Sequence, residues 1–437
     1  MAGSGLTVKV QARKLEEAAD LFATANGFAA QTYQGIADAV SGFSGMAGDD
    51  YTSDEFVSTY DDAAQAAVDG WRELVGGLAG MARLLWMTAG NHRSANQASV
   101  YQASPPVYDG GQFVDLPGST VSVGSVSVPT AKGAEDANTP ALWDLITDYL
   151  EGWTWPGTDT GNLRTAASAW RQLQTMLDSM LVPYLESAES QLAGQRSPEI
   201  ADVRTVIEDL KMEIEQLGLC CKDLGDACDD YATRVETVRE TVRGILEDLA
   251  IEAGITVVAA GVITFFTAGL GAGGGAAVAG WRLASAARRV IKAFTAMRAA
   301  VKVTAVAKLT RVASKVPLIG RRFKRISEAA NVARHATYKD ALRRAMGKPA
   351  TRDPKLSRLM DEMWRDNAKI GNGSTAAAVR HEAATGKPVG GVFHTQKAED
   401  MIRALQKWLR DNPEATPGDR AAAENVIKDL RDALAGN

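Results

Sequence analysis

Residues 254–280 read GITVVAAGVITFFTAGLGAGGGAAVAG and separate two parts of the chain that differ sharply in charge. No charged residue lies between Glu252 and Arg282, and this interval exceeds the roughly 20 apolar residues of a membrane-spanning helix. Glycine is frequent here and weakens a continuous helix, so a helical hairpin with two shorter arms is an alternative to a single span. A hairpin buried in soluble protein is the third interpretation.

The segment that follows is strongly basic. Residues 282–344 contain 17 Lys and Arg but only two acidic side chains, although the whole chain has a formal charge of −5. Such a segment suits an anionic membrane surface, acidic helices of the same chain, or nucleic acid. Few aromatic residues interrupt it, so we rank nucleic acid last.

The part before the apolar stretch predicts two long helical hairpins, at 1–100 and 141–252, because apolar residues recur at helical spacing. The first turns at SGFSGMAGDDYTSDEF (41–56), and the second turns near Gly194, after which Ser197 can cap a helix that starts with proline. The segment 101–140 is a predicted linker. Its TVSVGSVSV run is expected to form a short strand or to lie extended on a neighbour.

Five large or sulfur-bearing side chains in these hairpins are predicted to be core residues rather than ligands. The cysteines have no nearby histidine, and their spacing fits no zinc pattern. We therefore expect no metal and no cofactor. The residues are Trp71, Trp170, Cys220, Cys221 and Cys228.

These patterns predict an all-α chain with tandem long helical hairpins, an apolar Gly-rich helical hairpin (253–281), a basic helical linker (282–346) and a small, mostly helical C-terminal domain (347–437). Helix patterns in that last domain occur at 354–367, 374–384, 395–411 and 418–435. The cap or turn predicted for each, in order, is Asp353-Pro354, Ser374, Thr395 and Thr416-Pro417.

The C-terminal domain carries two of the four histidines of the chain. Two imidazoles near one phosphate can act as general base and general acid, because their pKa lies near working pH. Cationic side chains and a helix N-terminus would favour the phosphate, so this set suits metal-independent RNA cleavage. The alternative to a catalytic site is that His381 and Glu382 form a surface pair on a helix and that Phe393-His394 is an ordinary strand end. The candidate catalytic residues are Arg380, His381, Glu382, Lys387, His394, Thr395 and Lys397.

The first hairpin resembles the N-terminal hairpin of actinobacterial WXG-type secreted proteins. The similarity lies in GMAGDD (45–50), Glu55-Phe56 and YDDAA (60–64), and Asn91-His92 also suits that group. The resemblance implies export by type VII secretion, with the secretion machinery or a small helical-hairpin protein as partner. The N-terminus has no basic region followed by an apolar run, so we expect secretion without a signal peptide.

The C-terminal domain resembles the toxin modules that end polymorphic and contact-dependent inhibition toxins, and 141–252 resembles the second helical module of actinobacterial polymorphic toxins. The toxin resemblance rests on KIGNGSTA (369–376), RHE (380–382), TGKPVGG (385–391) and FHTQK (393–397). It implies an antibacterial toxin delivered into target bacteria, with RNA as substrate and a cognate immunity protein as partner.

Two other functions remain open at this point. Residues 254–280 would contact the target-cell membrane in the toxin hypothesis. The same residues would be the active part of a membrane-perturbing or pore-forming effector. A non-toxic secreted helical protein is the third possibility.

Overall fold

The computed structural model describes residues 10–99, 120–133, 139–253, 255–258, 262–265, 275–332, 348–349, 351–365, 368 and 370–436. Nearly all of the regular structure in them is helical, which confirms the all-α class. The first seven helices are α1 (Ala12–Ser41), α2 (Asp54–Ser99), α3 (Thr160–Met176), α4 (Val182–Gln191), α5 (Pro198–Ala253), α6 (Gly275–Val301) and α7 (Ala307–Val332). The last four are α8 (Pro354–Met363), α9 (Thr375–Thr385), α10 (Thr395–Asp411) and α11 (Pro417–Leu434).

Helices α1 and α2 form the first hairpin, and part of the following segment lies extended along it. The buried side chain of Asn26 donates hydrogen bonds to the carbonyl groups of Val75 (2.8 Å) and Val121 (3.0 Å) and accepts one from the Val121 N–H (2.6 Å). Farther along, Asp61 accepts a hydrogen bond from the Ala131 N–H at 2.8 Å. Of the two predicted alternatives for the TVSVGSVSV run, the extended arrangement on a neighbour is the one observed.

Helices α3 and α4, joined by a π-helical turn at Leu177–Leu181, pack with α5 as the second hairpin. This hairpin turns at Gly194, and α5 begins at Pro198, as the turn chemistry predicts. The indole N–H of Trp170 donates to the Tyr60 hydroxyl at 3.1 Å, which links the second hairpin to the first.

The predicted core residues of both hairpins are buried. Trp71 and Trp170 are at most 1% exposed, which confirms them as core anchors. The three cysteines are buried and unbridged, also as predicted. Burial raises the pKa of Cys220 to about 11 and that of Cys221 to about 12, so both remain thiols at neutral pH.

Helix α7 approaches α2 closely at glycines. A Cβ atom added at Gly80 would lie 2.8 Å from the carbonyl oxygen of Ile326 and 2.9 Å from the Cα of Ser327. Because both are backbone atoms, a side chain at this position would force the helices apart. The buried residues of α1–α7 form one continuous hydrophobic core, and we call these helices the helical body.

Acidic side chains of the two hairpins form ion pairs with the basic segment. Each pair joins a helix that carries acidic residues to α6, α7 or the π-helical turn between them. The sequence left three partners open for this positive charge: a membrane surface, acidic helices of the same chain, and nucleic acid. The observed ion pairs are formed with the acidic helices of the same chain. The pairs are Lys302–Glu55 (2.9 Å), Lys308–Asp230 (2.7 Å), Arg289–Asp248 (2.9 Å), Arg311–Asp223 (3.2 Å) and Arg322–Glu213.

The glycine-rich stretch differs locally from the expected helical hairpin. Residues Ile255–Val258 (β1) and Val262–Phe265 (β2) pair as antiparallel strands, with Ile255 opposite Phe265. Both strands consist of β-branched residues and one phenylalanine, which favour extended backbone over helix. Helix begins again at Gly275. The rest of the stretch lies outside the described residues. None of the described helices is long and apolar enough to cross a membrane.

Candidate functional site

The C-terminal domain (residues 348–436 of the described chain) has a hydrophobic core of its own. Helix α8 is capped by Asp353, whose carboxylate accepts hydrogen bonds from the backbone of Lys355 and Leu356 and from the indole N–H of Trp408. Ser374 caps α9 and Thr416 caps α11, as predicted. His394, rather than Thr395, is the N-cap residue of α10.

A tight turn brings the end of α9 close to the start of α10. Helix α9 ends at Thr385, and the C-cap residue Gly386 has a positive φ of 67°. Gly390 and Gly391 also have positive φ, the combination that a two-residue type I′ hairpin turn requires, and Val389 pairs with Val392 across them. The chain therefore reverses between α9 and α10 and places His394 beside the last turns of α9.

His394 and Glu382 form the central contact of the candidate site. Nδ1 of His394 lies 2.7 Å from Oε1 of Glu382, and the backbone N–H of His394 donates to Oε2 at 2.8 Å. The N–H of Val389 donates to Oε1 at 3.1 Å. Burial tends to raise the pKa of Glu382, but these hydrogen bonds outweigh burial and lower the pKa.

A cavity of about 90 Å³ opens beside this pair. His394 and Lys397, from the first turn of α10, line it together with Ser374 and Thr375, from the start of α9. The first backbone N–H groups of a helix favour an anion, and both helices direct this end towards the cavity. Nδ1 of His394 faces Glu382, so Nε2 is the ring nitrogen that remains for proton transfer.

The structure brings only some of the candidate residues to the cavity. Arg380 instead donates to the carboxylate of Asp429 on α11 at 2.6 Å, with both side chains largely buried. His381 is half-buried and does not line the cavity, while Lys387 and Thr395 are exposed. Lys397 donates to the carbonyl oxygen of Glu362 at 2.6 Å.

Sequence reasoning missed the opposite wall of this cavity. Ser374 and Thr375 are buried there, and the Thr375 hydroxyl donates to the carbonyl oxygen of Met363 at 3.2 Å. Gly373 adopts a positive φ, and a Cβ atom there would lie 2.3 Å from the Arg365 carbonyl oxygen. The signal in the sequence is the Gly-Asn-Gly-Ser-Thr run (371–375), which indicates a turn and the cap of α9 but does not by itself indicate a cavity wall.

A larger cavity, of about 180 Å³, lies between α5 and the C-terminal domain. Its walls include Met212 and Glu215 of the helical body and Asp419 of α11. Arg352 pairs with Glu215 across this contact, and Met212 packs against the core of the C-terminal domain. This cavity therefore marks the place where the C-terminal domain rests on α5.

Comparison with known proteins adds a family match and two relatives. Residues 128–291 match the family described as WXG100 like domain. The chain is 26% identical over 208 residues to the outer membrane channel protein CpnT of Mycobacterium tuberculosis and of Mycobacterium bovis BCG. These matches cover 48% of this chain but only 24% of either relative. No solved structure matches the chain significantly.

The family match falls on the second hairpin and its surroundings, from residue 128 to within α6. It supports the WXG-like helical character and the type VII secretion context that the sequence predicts. The first hairpin, where the sequence resemblance was noted, packs into the same core. Residues 128–291 of the chain are thus similar to the WXG100 like domain, and they lie within a continuous helical body.

Proposed function

We propose that this chain is an antibacterial toxin that leaves the producing cell by type VII secretion and cleaves RNA in the target cytoplasm through its C-terminal domain. The observation that carries the proposal is the His394–Glu382 pair beside a cavity with a cationic side chain. The separate core of the C-terminal domain supports a division between an export part and a toxic part.

In the proposed reaction, Nε2 of His394 removes the proton of a ribose 2′-hydroxyl, and the resulting oxygen attacks the adjacent phosphorus. The 5′-oxygen leaves with a proton from a second donor, and a 2′,3′-cyclic phosphate remains. Glu382 is a positioning residue, because it holds Nδ1 and leaves Nε2 free. Lys397 and the first N–H groups of α10 stabilise the negative charge on the phosphate.

His381 is the second imidazole of the proposed set, and we assign the leaving-group proton to it. Because His381 does not line the cavity, this assignment rests on the sequence pattern alone. Arg380, Lys387 and Thr395 are the remaining proposed members. An alanine variant at each position separates the residues that contribute to cleavage from those that only support the domain. Loss of cleavage with the fold retained assigns a residue to the reaction.

The experiment is induced expression of the full chain and of residues 345–437 in a bacterium, with growth and total RNA followed in time. We expect growth arrest and discrete RNA fragments from both, and neither from His394→Ala. Lys407→Ala, an exposed lysine on the same helix, is the matched control and should behave as the native chain. Growth arrest with intact RNA would refute the ribonuclease activity.

The proposal also implies partners. A cognate immunity protein would bind the C-terminal domain, and a small helical-hairpin protein or the secretion machinery would bind the helical body. Co-expression of a candidate immunity protein should restore growth of cells that express residues 345–437. Removal of residues 10–93 should abolish secretion while the toxicity of expressed protein persists.

The name of the relatives favours one alternative, a membrane-acting effector that uses residues 254–280. If this alternative holds, the full chain releases a dye from lipid vesicles, whereas a variant in which residues 254–274 are replaced by a polar linker does not. Dye release together with harmless expression of residues 345–437 would favour the membrane-acting function over the ribonuclease. A non-toxic helical protein is favoured if neither fragment nor full chain harms cells.

A further inference from the structure

Two apolar side chains beside His394 are exposed. Val392 is 62% exposed and Phe393 is 59% exposed, although burial of such side chains is normally favourable. Among the aromatic side chains whose burial the structure describes, most are buried. The exposure of Phe393 therefore identifies a surface next to the proposed catalytic base.

This surface is held rigidly. The segment between Val389 and His394 is fixed at both ends, because the backbone N–H groups of these two residues donate to the same buried carboxylate, that of Glu382. The glycine turn between them has the type I′ geometry of tight hairpins. An exposed aromatic ring on a fixed turn loses little conformational entropy when a ligand stacks on it.

Cationic side chains occur in the cavity and in the chain segment next to Phe393, although the Phe393 ring itself does not line the cavity. Arg365 and Lys397 line the adjacent cavity, and the exposed Lys387 precedes the turn. Glu362 is the acidic side chain in the same lining, and Glu382 is already engaged by three donors. An aromatic ring within a cationic surface is the arrangement that binds single-stranded nucleic acid, since every base has a face that can stack.

We propose that Phe393 is a stacking platform for one base of an unpaired RNA segment, and that it limits the substrate to single-stranded RNA. This inference rests on the proposed ribonuclease function. Phe393 is adjacent to His394, with neighbouring Cα atoms about 3.8 Å apart, but its ring lies outside the cavity lining that Val392 and His394 share. The proposed stacked base therefore belongs to a nucleotide next to the phosphate in the cavity. Bases in duplex RNA are already stacked on one another and present no free face to the ring.

The test uses the full chain with His394→Ala, which should bind RNA without cleaving it. The probe is a fluorescent single-stranded oligoribonucleotide of about 12 nucleotides, within the usual site sizes of such proteins, and binding is measured by anisotropy. We expect Phe393→Ala to raise the Kd about tenfold or more and Phe393→Trp to preserve the affinity. Trp281→Ala, which removes another exposed aromatic ring, is the control and should leave the Kd unchanged.

A duplex of the same sequence should bind more weakly, and its Kd should not respond to Phe393→Ala. In the catalytically intact chain, Phe393→Ala should slow cleavage of the single strand through a higher KM. Normal affinity and normal cleavage in Phe393→Ala would overturn the inference without refuting the ribonuclease function. In that case a protein partner would be the expected ligand of Val392 and Phe393. Intact RNA in cells that express the native chain would refute the function itself.

Discussion

The side chain of Glu382 holds both the ring and the main chain of His394. Its two oxygens lie 2.7 Å from Nδ1 and 2.8 Å from the backbone nitrogen of that residue. One carboxylate therefore sets the orientation of the imidazole and the position of the first turn of α10. This relationship links the fold of the domain to the proposed chemistry.

The first prediction concerns Glu382→Gln. A carboxamide offers one acceptor oxygen in place of two, so it cannot satisfy the N–H groups of Val389 and His394 together with the Nδ1 proton. We expect RNA cleavage to fall about 10²- to 10⁴-fold, the range for loss of an oriented general base. Nitrogen NMR shifts should show an Nδ1-protonated ring in the native chain and a mixture of tautomers in the variant.

Glu399→Gln is the control for this variant, because it removes an exposed carboxylate from α10, the helix that His394 caps. It should retain native cleavage and the native tautomer. The contrary outcome is that Glu382→Gln cleaves RNA at the native rate although the tautomer of His394 has changed. This result would show that the orientation of the His394 ring does not matter for the reaction.

The second prediction is the acid sensitivity of the C-terminal domain. The pKa of Glu382 is lowered from its ordinary value of 4.5, so the unfolded chain takes up the proton first as the pH falls. The stabilisation is complete above pH 4.5 and is lost as the pH falls through the lowered folded-state pKa. Below pH 4.5, the free energy of unfolding of the domain, measured with urea, should depend less on pH in Glu382→Gln than in the native chain.

The third prediction contrasts two glycines of α2. Gly80→Ala places a methyl group against the backbone of Ile326 and Ser327, and we expect it to destabilise the helical body by about 1–3 kcal/mol. Gly76→Ala places the methyl group 3.6 Å from the Ser327 hydroxyl, an ordinary contact, and should stabilise α2 by up to about 1 kcal/mol. Thermal unfolding of both variants measures the difference, and equal effects would contradict the close approach of α7.

Sequence patterns predicted most of the helical architecture because the signals involved are local. Apolar periodicity indicated the long hairpins, and the capping residues Asp353, Ser374 and Thr416 start helices as expected. Burial of Trp71 and Trp170 followed from their place in the hairpins, and burial of the cysteines from their spacing and the absence of a nearby histidine. These features depend on a few neighbouring residues, which the sequence contains.

Features that depend on distant residues were not predictable in this way. Helix α7 packs against glycines of α2, and these residues are far apart in sequence. The composition of residues 282–346 indicates a basic helical segment but not the helix against which it packs. In the site, Arg380 was a candidate cation, but its partner Asp429 lies on another helix. The strands Ile255–Val258 and Val262–Phe265 were not predicted, because the glycine and alanine content of the stretch indicates a helical hairpin, whereas the β-branched residues in it favour strands.

The fourth prediction concerns Asp209 on α5. Burial raises the pKa of this carboxyl to about 8 despite the nearby Arg322, so the folded protein keeps the proton where the unfolded chain has lost it. Stability should therefore fall by about 1.4 kcal/mol per pH unit as the pH rises towards 8, and should level off above it. Asp209→Asn should remove this dependence in denaturation curves between pH 5 and pH 9, whereas Asp248→Asn, at an exposed position of α5, should retain it.

The last prediction concerns the contact between the C-terminal domain and α5. Arg352 pairs with Glu215 there, and an ion pair at the surface contributes only about 0–1 kcal/mol. Glu215→Arg replaces the attraction with repulsion, so we expect the fraction of molecules in which the C-terminal domain is separated from α5 to increase, without unfolding. Distance measurements between labels on the two parts should lengthen, while Glu247→Arg, at an exposed position farther along α5, should leave them unchanged.

Separation should not affect cleavage in this variant. His394 precedes the 17 residues of α10, whereas Thr416 and Asp419, at the contact with α5, follow the far end of that helix. A helix of this length extends about 25 Å, so the proposed site and the contact are at opposite ends of it. A change in RNA cleavage that accompanies separation would instead mean that α5 controls the site through the C-terminal domain.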